Sequence, residues 1–243
     1  SWAVASLTEL SFLKDYKGDI DRALASLDEA EKKLDIGMDE ELADILKNRF
    51  RLFSKYGIVD KIPALSIKVD SLMSATSDKG VRLMCLELQI DNAVKAGHTS
   101  EAISLCHDAI GLLETSSDTQ GRDTKMYAIL NRLRPLCLAT QKYSEAMDIS
   151  RKMLSIREKD SGSDVGMEYF HVAEVYQALR DTTKALSYID SIMNNGGKPS
   201  VDPMMEGRHL QLVGMLHGRF GKWDEAVRYY EKADSAMASV GSD

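Results

Sequence analysis

The stretch "GKWDEAVRYYEKA", residues 221–233, sets Ala226 and Ala233 seven residues apart, with Tyr230 between them and a glycine in front. Ala and Tyr at such spacings share one face of a helix, because residues three, four and seven apart lie one above the other. Five other stretches repeat the layout: 18–30, 57–69, 97–109, 141–153 and 180–192. The sixth residues of all six stretches, Ala23, Ile62, Ala102, Ala146, Ala185 and Ala226, are separated by 39, 40, 44, 39 and 41 residues. A near-constant period of that length signals stacked units of one supersecondary type.

Upstream of each turn runs a second apolar periodicity. Leu210, Val213, Gly214 and His217 fall at helical spacing in the last unit, and Tyr169, Val172, Ala173 and Tyr176 do so in the fifth. Each unit therefore reads as a helix, a tight turn and a second helix. Helices are predicted over 2–16, 19–34, 39–55, 60–75, 78–96, 99–114, 119–140, 143–158, 164–179, 182–194, 203–220 and 223–240. Gly18, Gly57, Gly97 and Gly221 stand where one helix must end, a place that favours glycine because it tolerates positive φ. Asp19, Asp60, Thr99, Ser144, Thr182 and Asp224 are placed to cap the second helices. Pro135 is expected to kink its helix, and the turn-rich stretches 160–166 and 194–203 are the expected soft points. Where two short-linked helices cross closely only a small side chain fits, so Ala226 is expected against Gly214, with Tyr230 filling the wider gap beyond.

Small residues at the eighth, twentieth and twenty-seventh positions of a unit, with a ring at the twenty-fourth, resemble the tetratricopeptide repeat (TPR) family. In the last unit Leu210, Val213, Gly214, His217, Gly221, Ala226, Tyr230 and Ala233 carry the likeness, and in the first Leu7, Leu10, Ser11, Gly18, Ala23, Leu27 and Ala30 do. The resemblance implies an all-α fold, a right-handed α-superhelix (α-solenoid) of antiparallel helix pairs. It implies one repeat domain over 1–243, with units at about 4–38, 39–78, 79–118, 119–162, 163–202 and 203–240. The units are longer than the roughly 34 residues usual for the family. Ile62 and Pro63 in the second unit, and Arg134 and Met153 in the fourth, stand where small residues are expected.

Composition limits the function. The 243 residues carry 38 acidic and 31 basic side chains, a formal charge of −7, which argues against nucleic acid as a partner. No apolar run approaches the ~20 residues that span a bilayer. Cys85, Cys106 and Cys137 are too far apart for a metal knuckle and read as buried thiols. HExxH, GxSxG and phosphate-loop motifs are missing, and the five histidines are scattered. Neither catalytic residues nor a metal or other cofactor is expected, and His217 is expected in the core.

The functional expectation is therefore a surface. The family likeness implies a non-enzymatic scaffold that holds a protein or peptide on the concave side formed by the first helix of each unit. Its groove positions, carried over by register, include Phe12, Tyr16, Lys47, Arg51, Lys55, Glu87, Asp91, Asn131, Phe170, Glu174, Arg208, Gln211 and Arg219. The full groove set sums to +1, against −8 for the remaining residues. Lys47, Arg51 and Lys55 form a like-charged stripe that a carboxylate would relieve. The Lys and Asn run with which some family members clamp the acidic tails of heat-shock chaperones is missing, so a co-chaperone is not expected. A second reading is the extracytoplasmic sensory segment of a larger membrane-anchored bacterial regulator, located in the periplasm; otherwise the expected location is cytoplasmic. Self-association is compatible with either.

Overall fold

The computed structural model describes residues 2–115, 121–159, 163–195 and 202–238. Among them the regular structure is helical, in the order α1 (Trp2–Tyr16), α2 (Ile20–Lys32), α3 (Asp39–Tyr56), α4 (Ile62–Ala75), α5 (Lys79–Ala96), α6 (Thr99–Glu114), α7 (Arg122–Ala139), α8 (Tyr143–Glu158), α9 (Gly166–Ala178), α10 (Thr182–Ser187), α11 (Ile189–Met193), α12 (Pro203–Arg219) and α13 (Trp223–Ala238). Contacts divide the chain into two compact units, Ser1–Arg122 and Asp123–Asp243.

In the first unit α1 packs on α2, α3 on α4 and α5 on α6, and α3 also packs on α2 and α5. Val4, Ala23, Leu27, Ala30, Ile45 and Leu52 form one apolar cluster; Ala43, Leu46, Phe50, Leu65, Val69, Leu72, Val81, Cys85 and Leu88 form the next. Burying each large aliphatic contributes about 1.5–3 kcal/mol. The second unit builds its core from Phe170, Ala173, Ala185, Ile192, Leu212, Val213 and Leu216.

The α12–α13 pair answers the question of the small residues, with one correction. A Cβ placed on Gly214 would lie 3.1 Å from the Tyr230 ring, so the glycine makes room for the ring. Ala226 sits one turn further along, 3.8 Å from the corresponding point on Gly218, and Gly207 faces Met237 and the Ala233 carbonyl. As numbers rise along α12 they fall along α13, so the pair is antiparallel. His217 is buried and stacks on Tyr229, with ring centroids 5.2 Å apart.

Helix ends follow the expected turns more closely than the expected caps. Gly18, Gly57, Gly97 and Gly221 take positive φ. The side-chain caps are Asp19, Asp78, Asp181 and Asp202; Asp60 lies in a 3-10 turn (Val59–Lys61), and Thr99, Ser144, Thr182 and Asp224 are already inside their helices. That 3-10 turn absorbs the Ile62–Pro63 departure, since α4 starts with proline in its first turn, where the missing N–H costs nothing. α7 is helical through Pro135. The helix expected over 182–194 is divided at Tyr188, whose ring stacks 5.8 Å from Tyr176. Residues 160–162 and 196–201 of the expected soft points lie outside the described residues.

Where the repeats lack a turn glycine, Gln141 and Arg180 adopt φ of 61° and 60°. A side chain there strains the backbone, and glycine's greater entropy loss on folding offsets part of the relief. Gln141→Gly and Arg180→Gly should each stabilise the protein by about 0.5–1 kcal/mol, read as a rise in the urea midpoint. A drop would show that the side chains contribute more than the turn costs.

Candidate partner-binding surface

The first helices of the first three repeats line a groove of about 610 Å³ in the first unit, with Thr8, Glu9 and Phe12 from α1, Asp44, Lys47, Arg51 and Lys55 from α3, and Leu88, Asp91 and Lys95 from α5. Phe12 is 41% exposed. The Arg51 guanidinium lies 4.5 Å above its ring, and the Lys95 ammonium 4.8 Å above Phe50. Such cation–ring contacts hold the side chains against the wall without neutralising them.

Asp15 controls the electrostatics of this groove. Its buried carboxylate accepts from Arg51 at 2.6 Å, from Lys55 at 2.8 Å and from the Tyr56 hydroxyl at 2.8 Å. The hydrogen bond from Lys55 is the strongest influence, and with Arg51 and Tyr56 it outweighs desolvation and holds Asp15 well below the usual carboxylate range. Two of the three charges in the Lys47–Arg51–Lys55 stripe thus meet a carboxylate of the same chain. Lys47 stands exposed on the lining.

The second unit has a related device. Glu174 on α9 accepts from Arg134 of α7 and Arg219 of α12. Burial alone would raise its pKa, but the two guanidinium groups more than offset it, and the group titrates below its ordinary value. Beside it His171 is pushed down to about 4, first by burial and then by the Arg134 charge. Asp164, just before α9, accepts from His209 Nε2 at 2.7 Å and from the Gly166 amide at 3.0 Å. A Cβ at Gly166 would come within 2.5 Å of the His209 ring, so only glycine lets α9 begin there.

No protein-family model matches the sequence, and comparison with curated proteins finds no match. Solved structures do match. The chain is similar to BtubC (BKLC) from P. vanneervenii, at 16% identity and a TM-score of 0.62, over 99% of this chain and 92% of that one. The TPR-like repeats of a putative kinesin light chain from Podosopora anserina match at 13% identity and a TM-score of 0.55, over 99% and 97%. A Rap protein complexed with Competence and Sporulation Factor matches at 17% identity and a TM-score of 0.57, over 97% of this chain and 66% of that one. The fold is a TPR-like helical repeat. At these identities the likeness concerns the fold alone.

The TPR-like frame places the expected partner-contacting residues unevenly. Phe12, Lys47, Arg51, Lys55 and Asp91 come together on the first-unit groove. Tyr16, at the end of α1, is 92% exposed, while Glu87 is half-buried on α5. In the second unit Asn131, Arg208 and Gln211 are exposed. Arg208 lies 3.8 Å from Asp164, and Gln211 reaches the Met237 sulfur at 4.0 Å. Arg219 and Glu174 are partners of each other. Phe170 is a correction: at 3% exposure it belongs to the core under α12, because its side of α9 faces Leu212, Val213 and Leu216.

Two ion pairs that matter here escaped the sequence reading. Asp15 is separated from Arg51 by 36 residues, and Arg134 from Glu174 by 40. Such distances are about one repeat period, which is the one signal that could have paired them. The Arg134 departure from the small-residue rule has its cause in this pairing: Glu174 supplies the countercharge that lets an arginine be buried. Cys85, Cys106 and Cys137 are all buried and outside any disulfide, with Cys85 pushed up to about 11 by burial. Among the described residues no cluster of His, Cys, Asp or Glu has metal-binding geometry, and no helix is long and apolar enough to cross a membrane.

Proposed function

We propose that the protein is a non-enzymatic scaffold that binds an extended peptide, or a helix of a protein partner, in the groove of its first unit. The observation that carries this reading is the groove itself: an exposed ring at Phe12, an arginine 4.5 Å over it, and the exposed Lys47, on three helices fixed by packing. Because Asp15 already neutralises much of Arg51 and Lys55, and Glu9, Asp44 and Asp91 add negative charge, the lining favours a peptide of mixed charge over a strongly acidic tail. The Rap protein of similar fold, which is complexed with Competence and Sporulation Factor, supports a partner-binding use of such a frame.

The test is selection from a displayed peptide library against the whole chain, followed by affinity measurement. Phe12→Ala with Lys47→Glu should weaken the selected peptides at least tenfold, about 1.4 kcal/mol, while leaving the melting temperature unchanged. Arg51 is unsuitable as a probe because removing it also strips a partner from Asp15. Failure to enrich any peptide, or equal binding by the double variant, would count against the groove.

A further inference from the structure

Helix α13 carries an exposed apolar stripe that is no part of the groove lining. Along α13, Trp223, Val227 and Tyr230 form an apolar stripe, exposed by 68%, 53% and 42%. The exposed acids Glu231 and Asp234 border it. Isolated exposed apolar residues need no explanation, but a stripe at helical spacing beside paired charges does.

The repeat itself shows what such a surface holds. Shifting by 203 residues superposes the register of α2 on α13, so that Ala23 corresponds to Ala226, Leu27 to Tyr230, Asp28 to Glu231 and Glu31 to Asp234. On α2 this side is covered by α3: Ile45 and Leu52 of α3 join Ala23, Leu27 and Ala30 in one apolar cluster. Between those two aliphatics Arg49 donates to Asp28 at 2.7 Å and also to Glu31. Among the six repeats only the first and the last carry acids at both positions, the others having Ile67 and Asp70, His107 and Ile110, Arg151 and Leu154, and Asp190 and Met193. On α2 the acid pair is the socket for an arginine; on α13 the same pair stands exposed.

We propose that the open side of α13 docks an amphipathic helix of a partner protein, one that presents an arginine between two aliphatic residues, as α3 presents Arg49 between Ile45 and Leu52. The aliphatics cover the Trp223–Val227–Tyr230 stripe and the guanidinium enters between Glu231 and Asp234. A second copy of this chain matches the surface less well. The α1 position equivalent to Arg49 is Leu10, which offers the acid pair no cation.

The probe is a synthetic peptide of residues 39–56, the α3 sequence, which contains no tryptophan. In the full chain with Trp2→Phe, the remaining Trp223 reports directly on the stripe. The peptide is expected to shift Trp223 emission to the blue with saturation at one peptide per chain. The same peptide with Arg49→Glu should bind at least tenfold more weakly, and Glu231→Lys with Asp234→Lys in the protein should reverse that preference. These exposed substitutions leave the helical circular dichroism and the melting temperature as controls for folding. No saturable shift, equal binding by both peptides, or a Trp223 shift that depends on protein concentration alone would overturn the proposal, the last by making a second copy the occupant. Phe12→Ala with Lys47→Glu should leave this binding intact, which separates it from the groove.

Discussion

Glu174→Gln should destabilise the second unit by about 3 kcal/mol, within the range for breaking a buried ion pair from one side. The Arg134 and Glu174 side chains are only 10% and 12% exposed. With Glu174 neutral, the Arg134 guanidinium stays buried without a counterion, beside Arg219. Arg219, at 36% exposure, can turn towards solvent, so most of the cost falls on Arg134. In urea the midpoint should fall by about 1–3 M, taking slopes of about 1–3 kcal/mol per M. Glu174→Leu combined with Arg134→Met should recover most of the loss, because removing both charges also removes their desolvation cost. A single-variant effect below about 1 kcal/mol would mean that the pair is solvated and contributes as surface bridges do.

Acidification should weaken the same unit, beginning below the 6.5 of an ordinary histidine. His171 takes up a proton near 6.5 when unfolded but only near 4 when folded. Between those pH values the unfolded chain binds more protons than the folded one, so stability falls as the pH falls through that window and is level above it. At 1.36 kcal/mol per unit the full loss approaches about 3 kcal/mol. His217, also shifted down by burial and by Lys222, adds to the loss over the same side of neutrality. His171→Gln should flatten most of the slope in urea midpoints measured from pH 7 to 4.5. An unchanged slope in that variant would assign the acid sensitivity elsewhere. Below about pH 4.5 a separate loss sets in. Glu174 and Asp15 have folded pKa values below their unfolded ones, so their stabilisation is complete above the unfolded value and disappears as the pH falls beneath it.

Both effects depend on the buried surroundings of Arg134, whose ion-pair partner lies about one repeat away, and this is where sequence and structure divide the information. The period of about 40 residues, the turn glycines at Gly18, Gly57, Gly97 and Gly221, and the small residues at Ala226 and Ala233 are local features, fixed by 3.6-residue periodicity and by the room a short turn leaves between two helices. They were enough to place six helix pairs, mostly to within two residues. The meshing of one helix with another was less legible. That Tyr230 seats on Gly214, and Ala226 on Gly218, depends on the offset between the helix axes.

The groove was half visible for the same reason. Register put Phe12, Lys47, Arg51, Lys55 and Asp91 on one side of their helices, and the structure brings those five together. Register could not tell that Asp15 turns inward to take two of the cations, or that Phe170 is covered by α12 while Phe12 is left open. Those outcomes depend on how far each first helix is rotated and how closely the next one approaches. By itself the sequence determined a chain of helix pairs with small residues at their crossings. Tertiary structure alone decided which charges are spent on one another, because an ion pair forms only where packing brings its members within hydrogen-bonding distance and keeps water away.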